Sequence, residues 1–219
     1  MLGCDEWFMY RNKQHLSKGL NAHDALKKLL DEFWAIRHLS VMEIVEPGTD
    51  SIISKMQDEG FTIMGLTTQG LTLATCTWQQ LLANNIDLTR TAPIPHDYFL
   101  NLNEHGVLYR HGILFTSGTS KGEALFQLLE QNDVFVDRVL FINDKASHLK
   151  EVEDAAIKRG VEFIGLRYAY SDARKALFDP EIADIQFTWS NFGRIVSDSE
   201  AKDILNRQKG LVTCYGDSQ

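Results

Sequence analysis

Thr67 and Thr68 stand directly after the apolar run Phe61-Thr62-Ile63-Met64-Gly65-Leu66. A hydroxyl and a backbone N–H at the end of a buried strand can both be directed at an anion held at the sheet edge. Two turn threonines satisfying local backbone groups would look the same in isolation. Lys121 opens a predicted helix within Thr116-Ser117-Gly118-Thr119-Ser120-Lys121-Gly122. A cation there lies beside unpaired helix N–H groups that the macrodipole already makes positive, so its natural counterpart is an anion such as phosphate. The stretch is not a Walker A loop, because Gly122 stands where Ser or Thr must follow the lysine. Asn143-Asp144-Lys145 follows a second apolar run, Arg138-Val139-Leu140-Phe141-Ile142. A carboxylate at a strand end, oriented by a neighbouring amide, suits a hard cation such as Mg²⁺; it suits equally well the capping of the helix that follows.

Other chemistries find little support. Cys4, Cys76 and Cys214 are widely separated and form no CxxC pair, so neither a disulfide framework nor a redox motif is expected. Cys76, in Ala-Thr-Cys-Thr-Trp, reads as a small core or half-buried thiol, since no histidine is near it in sequence. The seven histidines are scattered without an HExxH pattern or a Cys/His cluster, which argues against zinc. No GxGxxG follows a strand, which disfavours a Rossmann nucleotide binder.

The elements that would position these residues follow from periodicity. Asn21 with Asp24 marks a helix start, and Ala22, Ala25, Leu26, Leu29, Leu30, Phe33 and Trp34 then make one apolar face. Thr49 is placed to cap a short helix ending at Gly60, and 61–66 reads as a buried strand. A further helix carries Leu73, Trp78, Leu81 and Leu82. Tyr98-Phe99-Leu100 and Val107-Leu108-Tyr109, around Asn103-Glu104-His105-Gly106, read as a β-hairpin running on into Gly112–Phe115. A helix over 120–131, a strand over 138–142, a helix over 146–159 and a strand over 161–166 complete an α/β order. Such an order implies a parallel sheet covered on both faces, with ligands at the carboxyl ends of its strands. The division expected is a helical segment at 4–45, an α/β core at 46–196 and a polar tail at 197–219, helical only through Lys202 to Arg207.

With 44% apolar and 24% charged residues the composition is that of an ordinary globular protein. The net charge of -8 argues against nonspecific binding to nucleic acid or anionic membranes. No apolar run approaches the roughly 20 residues needed to span a bilayer. Residues 1–10 carry Asp5 and Glu6 without a basic start, so they are not a signal peptide. As given, the chain would stay in the cytoplasm, and any export signal would lie upstream of Met1.

A strand ending in Thr, a Lys opening a helix and a strand ending in Asp, in that order, resemble motifs two, three and four of the haloacid-dehalogenase-like (HAD) superfamily. The wording of Leu2-Gly3-Cys4-Asp5-Glu6-Trp7-Phe8 and of Phe141-Ile142-Asn143-Asp144-Lys145 is similar to that of a poorly characterised bacterial branch. The resemblance covers about Leu2 to Leu166. It implies a Rossmann-like parallel sheet with a small helical cap over about Asp5–Ser40 and a hairpin insertion. It also implies a Mg²⁺-dependent phosphohydrolase acting on a small phosphorylated molecule. Thr67 and Thr68 would bind the phosphoryl oxygens, Lys121 would neutralise charge and Asp144 would hold the metal, with Asn143 behind it. The family's Asp-x-Asp nucleophile and general acid occur nowhere in the sequence, so the central first strand is expected to be missing and the chain inactive as given. The alternative is a noncatalytic relative that binds a phosphorylated ligand or a protein partner.

Overall fold

Side-chain caps and apolar stripes set the helices. In chain order the elements are α1 (Asp5–Ser17), α2 (Ala22–Leu39), α3 (Thr49–Asp58), β1 (Gly65–Thr67), α4 (Ala74–Leu82), β2 (Tyr98–Leu100), β3 (Val107–Arg110), β4 (Ile113–Phe115) and α5 (Lys121–Gln131). They continue with β5 (Arg138–Asn143), α6 (Ala146–Lys158), β6 (Glu162–Arg167), α7 (Asp172–Lys175), α8 (Pro180–Trp189) and α9 (Asp198–Gly216). The computed structural model describes residues 1–102, 104–189 and 194–216, with side chains as far as Gly210. The chain divides into two compact units, Met1–Val41 with Asp172–Gln219, and Met42–Ser171.

In the first unit, α2 begins as its sequence suggests: the Asn21 side chain accepts from the Asp24 N–H at 2.9 Å. Trp7 of α1, Leu29 and Ile36 of α2 and Ala183 of α8 form a buried apolar cluster. Arg11 is buried beside it, donating to both Glu32 carboxylate oxygens at 3.1 and 2.8 Å, and its guanidinium lies 4.3 Å from the Phe187 ring centre. His15 Nε2 stands 3.1 Å from the same carboxylate. One acidic side chain of α2 thus ties two residues of α1. The C-terminal segment is more ordered than the expected Lys202–Arg207 helix, because Ser197-Asp198-Ser199-Glu200 is a capping box. The Glu200 N–H donates to Ser197 Oγ, and the Ser197 N–H donates to Glu200 Oε2 at 2.8 Å. That backbone bond, and then Arg194, hold the Glu200 carboxyl down to about 2. Ala201 is buried with Ile182 and Ile185 of α8.

In the second unit the strands do not form one parallel sheet. Four of them make a mixed sheet in the order β1-β4-β3-β2, in which only β1 and β4 run parallel. The other two, β5 and β6, make a separate parallel pair with Asn143 opposite Arg167. The HAD-type Rossmann sheet is therefore not what the chain shows, and the expected hairpin insertion is an integral part of the first sheet. The reason is local. His111 and Gly112 both adopt positive φ, 51° and 75°, the two-residue turn that matches strand twist and folds β3 directly back on β4. The expected strand over 61–66 is regular only at Gly65–Thr67, where Gly65, Leu66 and Thr67 lie opposite Ile113, Leu114 and Phe115.

The main core of this unit holds Leu125, Leu128 and Leu129 of α5, Val152 and Ala156 of α6, and Leu114 and Tyr109 from the sheet. Val139, Phe141 and Phe163 pack against it from one face of β5–β6. The opposite face carries Leu140, Ile142, Ile164 and Leu166, all exposed. Helices α5 and α6 meet at Gly122, where an added Cβ would lie 2.3 Å from the Glu151 carbonyl oxygen and 2.7 Å from Ala155 Cβ. Backbone cannot yield to such a contact without moving a helix. Gly122→Ala is expected to cost about 1–3 kcal/mol through overpacking, measured as a lowered urea midpoint with an unchanged slope.

Candidate functional site

The first turn of α5 brings the predicted lysine to the end of β1. Lys121 is only 4% exposed. Its ammonium donates to the Leu66 carbonyl oxygen at 3.2 Å and lies 5.7 Å from the Phe141 ring centre. Aliphatic length lets the stem cross the core and set the ammonium at the end of β1. Thr67 is the next residue along β1; it is half-buried, and its Oγ1 accepts from the Gln69 N–H at 3.2 Å. Thr68 is exposed. The structure thus brings Lys121 to the Thr67 end of the sheet, as the spacing predicts, while the Thr67 hydroxyl is also engaged in its own turn.

The loop from β4 to α5 closes the other side. The Thr116 N–H donates to the Thr67 carbonyl at 2.9 Å, and the Ser117 N–H donates to the Gln69 carbonyl at 3.1 Å. Ser117 and Gly118 then take left-handed backbone, with φ of 49° and 83°, and turn the chain into the helix. Thr116 is fully buried, and its Oγ1 has no hydrogen-bond partner among the described residues. A buried hydroxyl in that condition costs about 1–3 kcal/mol, so it is a group that a ligand atom or a water would satisfy.

Two site residues had no motif in the sequence. Glu151 of α6 accepts from the Lys121 backbone N–H at 3.1 Å, a carboxylate set on the positive start of α5. His148, one turn earlier on α6, holds its Nδ1 3.2 Å from Asn143 Oδ1. Partial burial, and then the charge of Lys121, hold the His148 ring below the ordinary histidine value, while Glu151 and Asp144 oppose this. Lys121, Glu151, His148, Lys145 and Asp144 therefore share one electrostatic neighbourhood. The sequence signal, in retrospect, was His148 and Glu151 spaced by three on a helix, which only the packing of α5 on α6 makes meaningful.

Asn143 Oδ1 accepts from the Lys145 N–H at 3.0 Å in the turn that leads into α6. Asp144 is half-buried beside it. Among the described residues no group of three or more His, Cys, Asp or Glu is placed to hold a metal ion. One carboxylate, with Asn143 Oδ1 already engaged, is a poor donor set for the six oxygens a magnesium ion needs. Cys76 lies half-buried on α4.

Among known proteins, the family described as "Protein of unknown function (DUF2608)" matches residues 1–202, and the chain belongs to it. A Chlamydia pneumoniae protein named "Putative outer membrane protein" is 25% identical over 80% of this chain and 65% of its own length. The chain thus spans just under two thirds of that relative. A protein of the same name from Chlamydia trachomatis is 19% identical over 95% of this chain and 77% of its own length. No solved structure matches. These findings overturn the HAD resemblance: the family that matches nearly the whole chain is a different one, and none of these relatives carries a HAD, hydrolase or phosphatase name. Among the described residues no helix is long and apolar enough to cross a membrane.

Because Asn143 Oδ1 accepts from the Lys145 N–H in the turn before α6, Asn143→Ala is expected to cost about 0.5–1.5 kcal/mol, the usual net worth of one such hydrogen bond. Thermal unfolding of the two proteins side by side measures it; an unchanged midpoint would remove Asn143 from this role.

Proposed function

We propose that the chain is a noncatalytic binding domain that takes a small phosphorylated molecule at the end of β1, with its phosphate against Lys121, Thr67 and Thr68. The observation that carries this reading is the placement of a buried ammonium at a strand end and a helix start at once. Strand ends and helix N-termini are where backbone and dipole favour anions, and a cation held there adds charge to that field. Thr116 Oγ1 supplies a further unsatisfied polar atom beside the same loop. The engagement of Thr67 Oγ1 as acceptor from a backbone N–H supports the noncatalytic reading. The relatives' printed name supports an envelope location for this chain as well. Fractionation of source cells tests that point, and recovery in the cytosol alone would count against it.

Titration calorimetry with inorganic phosphate tests the binding reading. The wild-type chain is expected to bind, and Lys121→Gln to bind at least about tenfold more weakly, the equivalent of one charged hydrogen bond. Glu151→Gln removes a resident negative charge from the start of α5, so it is expected to bind severalfold more tightly. Absence of heat with the wild-type chain, or equal affinity of the Lys121→Gln variant, would sink the proposal. Release of p-nitrophenol from p-nitrophenyl phosphate would show the domain to be catalytic.

A further inference from the structure

We propose that the uncovered face of the β5–β6 pair is a self-association surface, and that its occupant is the same face of a second copy of this chain. All-parallel sheets are found almost only with both faces covered, and their strands then read as continuous apolar runs. Val139-Leu140-Phe141-Ile142 and Phe163-Ile164-Gly165-Leu166 are such runs. Val139, Phe141 and Phe163 pack on one side against the core built on α5 and α6. Leu140, Ile142, Ile164 and Leu166 stand on the other side and are 39–55% exposed. Leu140 lies opposite Ile164 and Ile142 opposite Leu166, so the four side chains are neighbours in one apolar block. On a chain with a net charge of -8, a contiguous exposed block of this kind marks an interaction surface.

The charges around the block identify the partner. Arg138 and Glu162 stand side by side at the starts of the two strands, bridged at 2.7 Å. At the other end Asp144 follows β5 and Arg167 closes β6. Sign therefore alternates around the four corners, positive and negative at the start, negative and positive at the end. A two-fold axis across the strands lays each strand antiparallel over its own copy. It brings the Arg138 corner of one copy to the Asp144 corner of the other, and the Glu162 corner to the Arg167 corner. A two-fold axis along the strands brings the Arg138 corner to the Glu162 corner and the Asp144 corner to the Arg167 corner. Both arrangements oppose unlike charges at every corner, so the face is complementary to itself, the condition for an isologous dimer. Stacked sheets lie about 10 Å apart, a separation that the apolar side chains of the two copies fill. The block is small beside the roughly 800 Å² per partner of a standard interface, so the dimer is expected to be weak and in exchange with single chains.

Sedimentation of the full chain over about a hundredfold range of concentration tests the proposal, because a dimer in exchange follows mass action. The mass is expected to rise from that of one chain toward that of two. Arg138→Glu sets like charges against each other in either arrangement and is expected to weaken association at least about tenfold. It also removes the bridge to Glu162, an exposed pair of the kind that contributes little to folding. Ile142→Ser, at a side chain already 55% exposed, is expected to weaken association as well. Methyl NMR of the wild-type chain gives a reading that depends on no variant. The signals of Leu140, Ile142, Ile164 and Leu166 are expected to move with concentration, while those of the buried Leu125 and Leu128 stay in place. A single-chain mass at every concentration, which leaves the face to a cover of another kind, overturns the proposal. Association that both substitutions leave unchanged, or methyl shifts confined to other residues, overturns it too.

Discussion

The approach of α5 to α6 at Gly122 constrains everything else in the larger unit. Without a side chain at that position the two helices come close enough for the Glu151 backbone to lie where a Cβ would be. That distance sets the first turn of α5 against the face of α6 that carries Glu151, and the Glu151 carboxylate then reaches the Lys121 N–H. Lys121 is in turn directed through the core to the Leu66 carbonyl. Packing density leaves no slack in such an arrangement, because interiors are filled like crystals and small shifts are transmitted. A helix contact and a cluster of charges are in this way one feature.

The same contact explains why the site is balanced. An ammonium buried to this degree costs several kcal/mol unless nearby groups compensate it. The start of α5 is positive in its own right, and Glu151 offsets that charge from the neighbouring helix. The site is thus preloaded with a carboxylate of its own, which an entering phosphate would meet as a competitor. In the other unit Glu32 plays a comparable part, since one partly buried carboxylate engages Arg11 and His15 and joins α1 to α2. In both units an acidic side chain on one helix anchors a residue of another.

Much of the local structure was legible in the sequence. The apolar stripe of α5 appears where three- and four-residue spacing places it, α2 buries Ala25 and Leu29 of its predicted face while Ala22 and Leu26 lie exposed, and the Asn21 cap forms with Asp24 as read. The hairpin at 98–110 is present with Tyr98 opposite Tyr109. Two local signals went unread: the capping box at Ser197–Glu200, which extends α9, and the positive-φ pair at His111-Gly112, which folds β3 onto β4. Both are short-range features of a few residues, easily outweighed by an expectation of α/β alternation.

The sequence by itself determined the element types, the helix starts and the placement of Lys121 and Thr67 at a helix start and a strand end, because spacing and capping act over a few residues. Sheet pairing was decided by the tertiary structure: whether β1 pairs with β4 or with β5 depends on turn geometry and helix packing, to which alternating apolar runs are indifferent. So was the partner Glu151, which is distant in sequence from Lys121 and reaches its backbone N–H only because a glycine lets two helices touch.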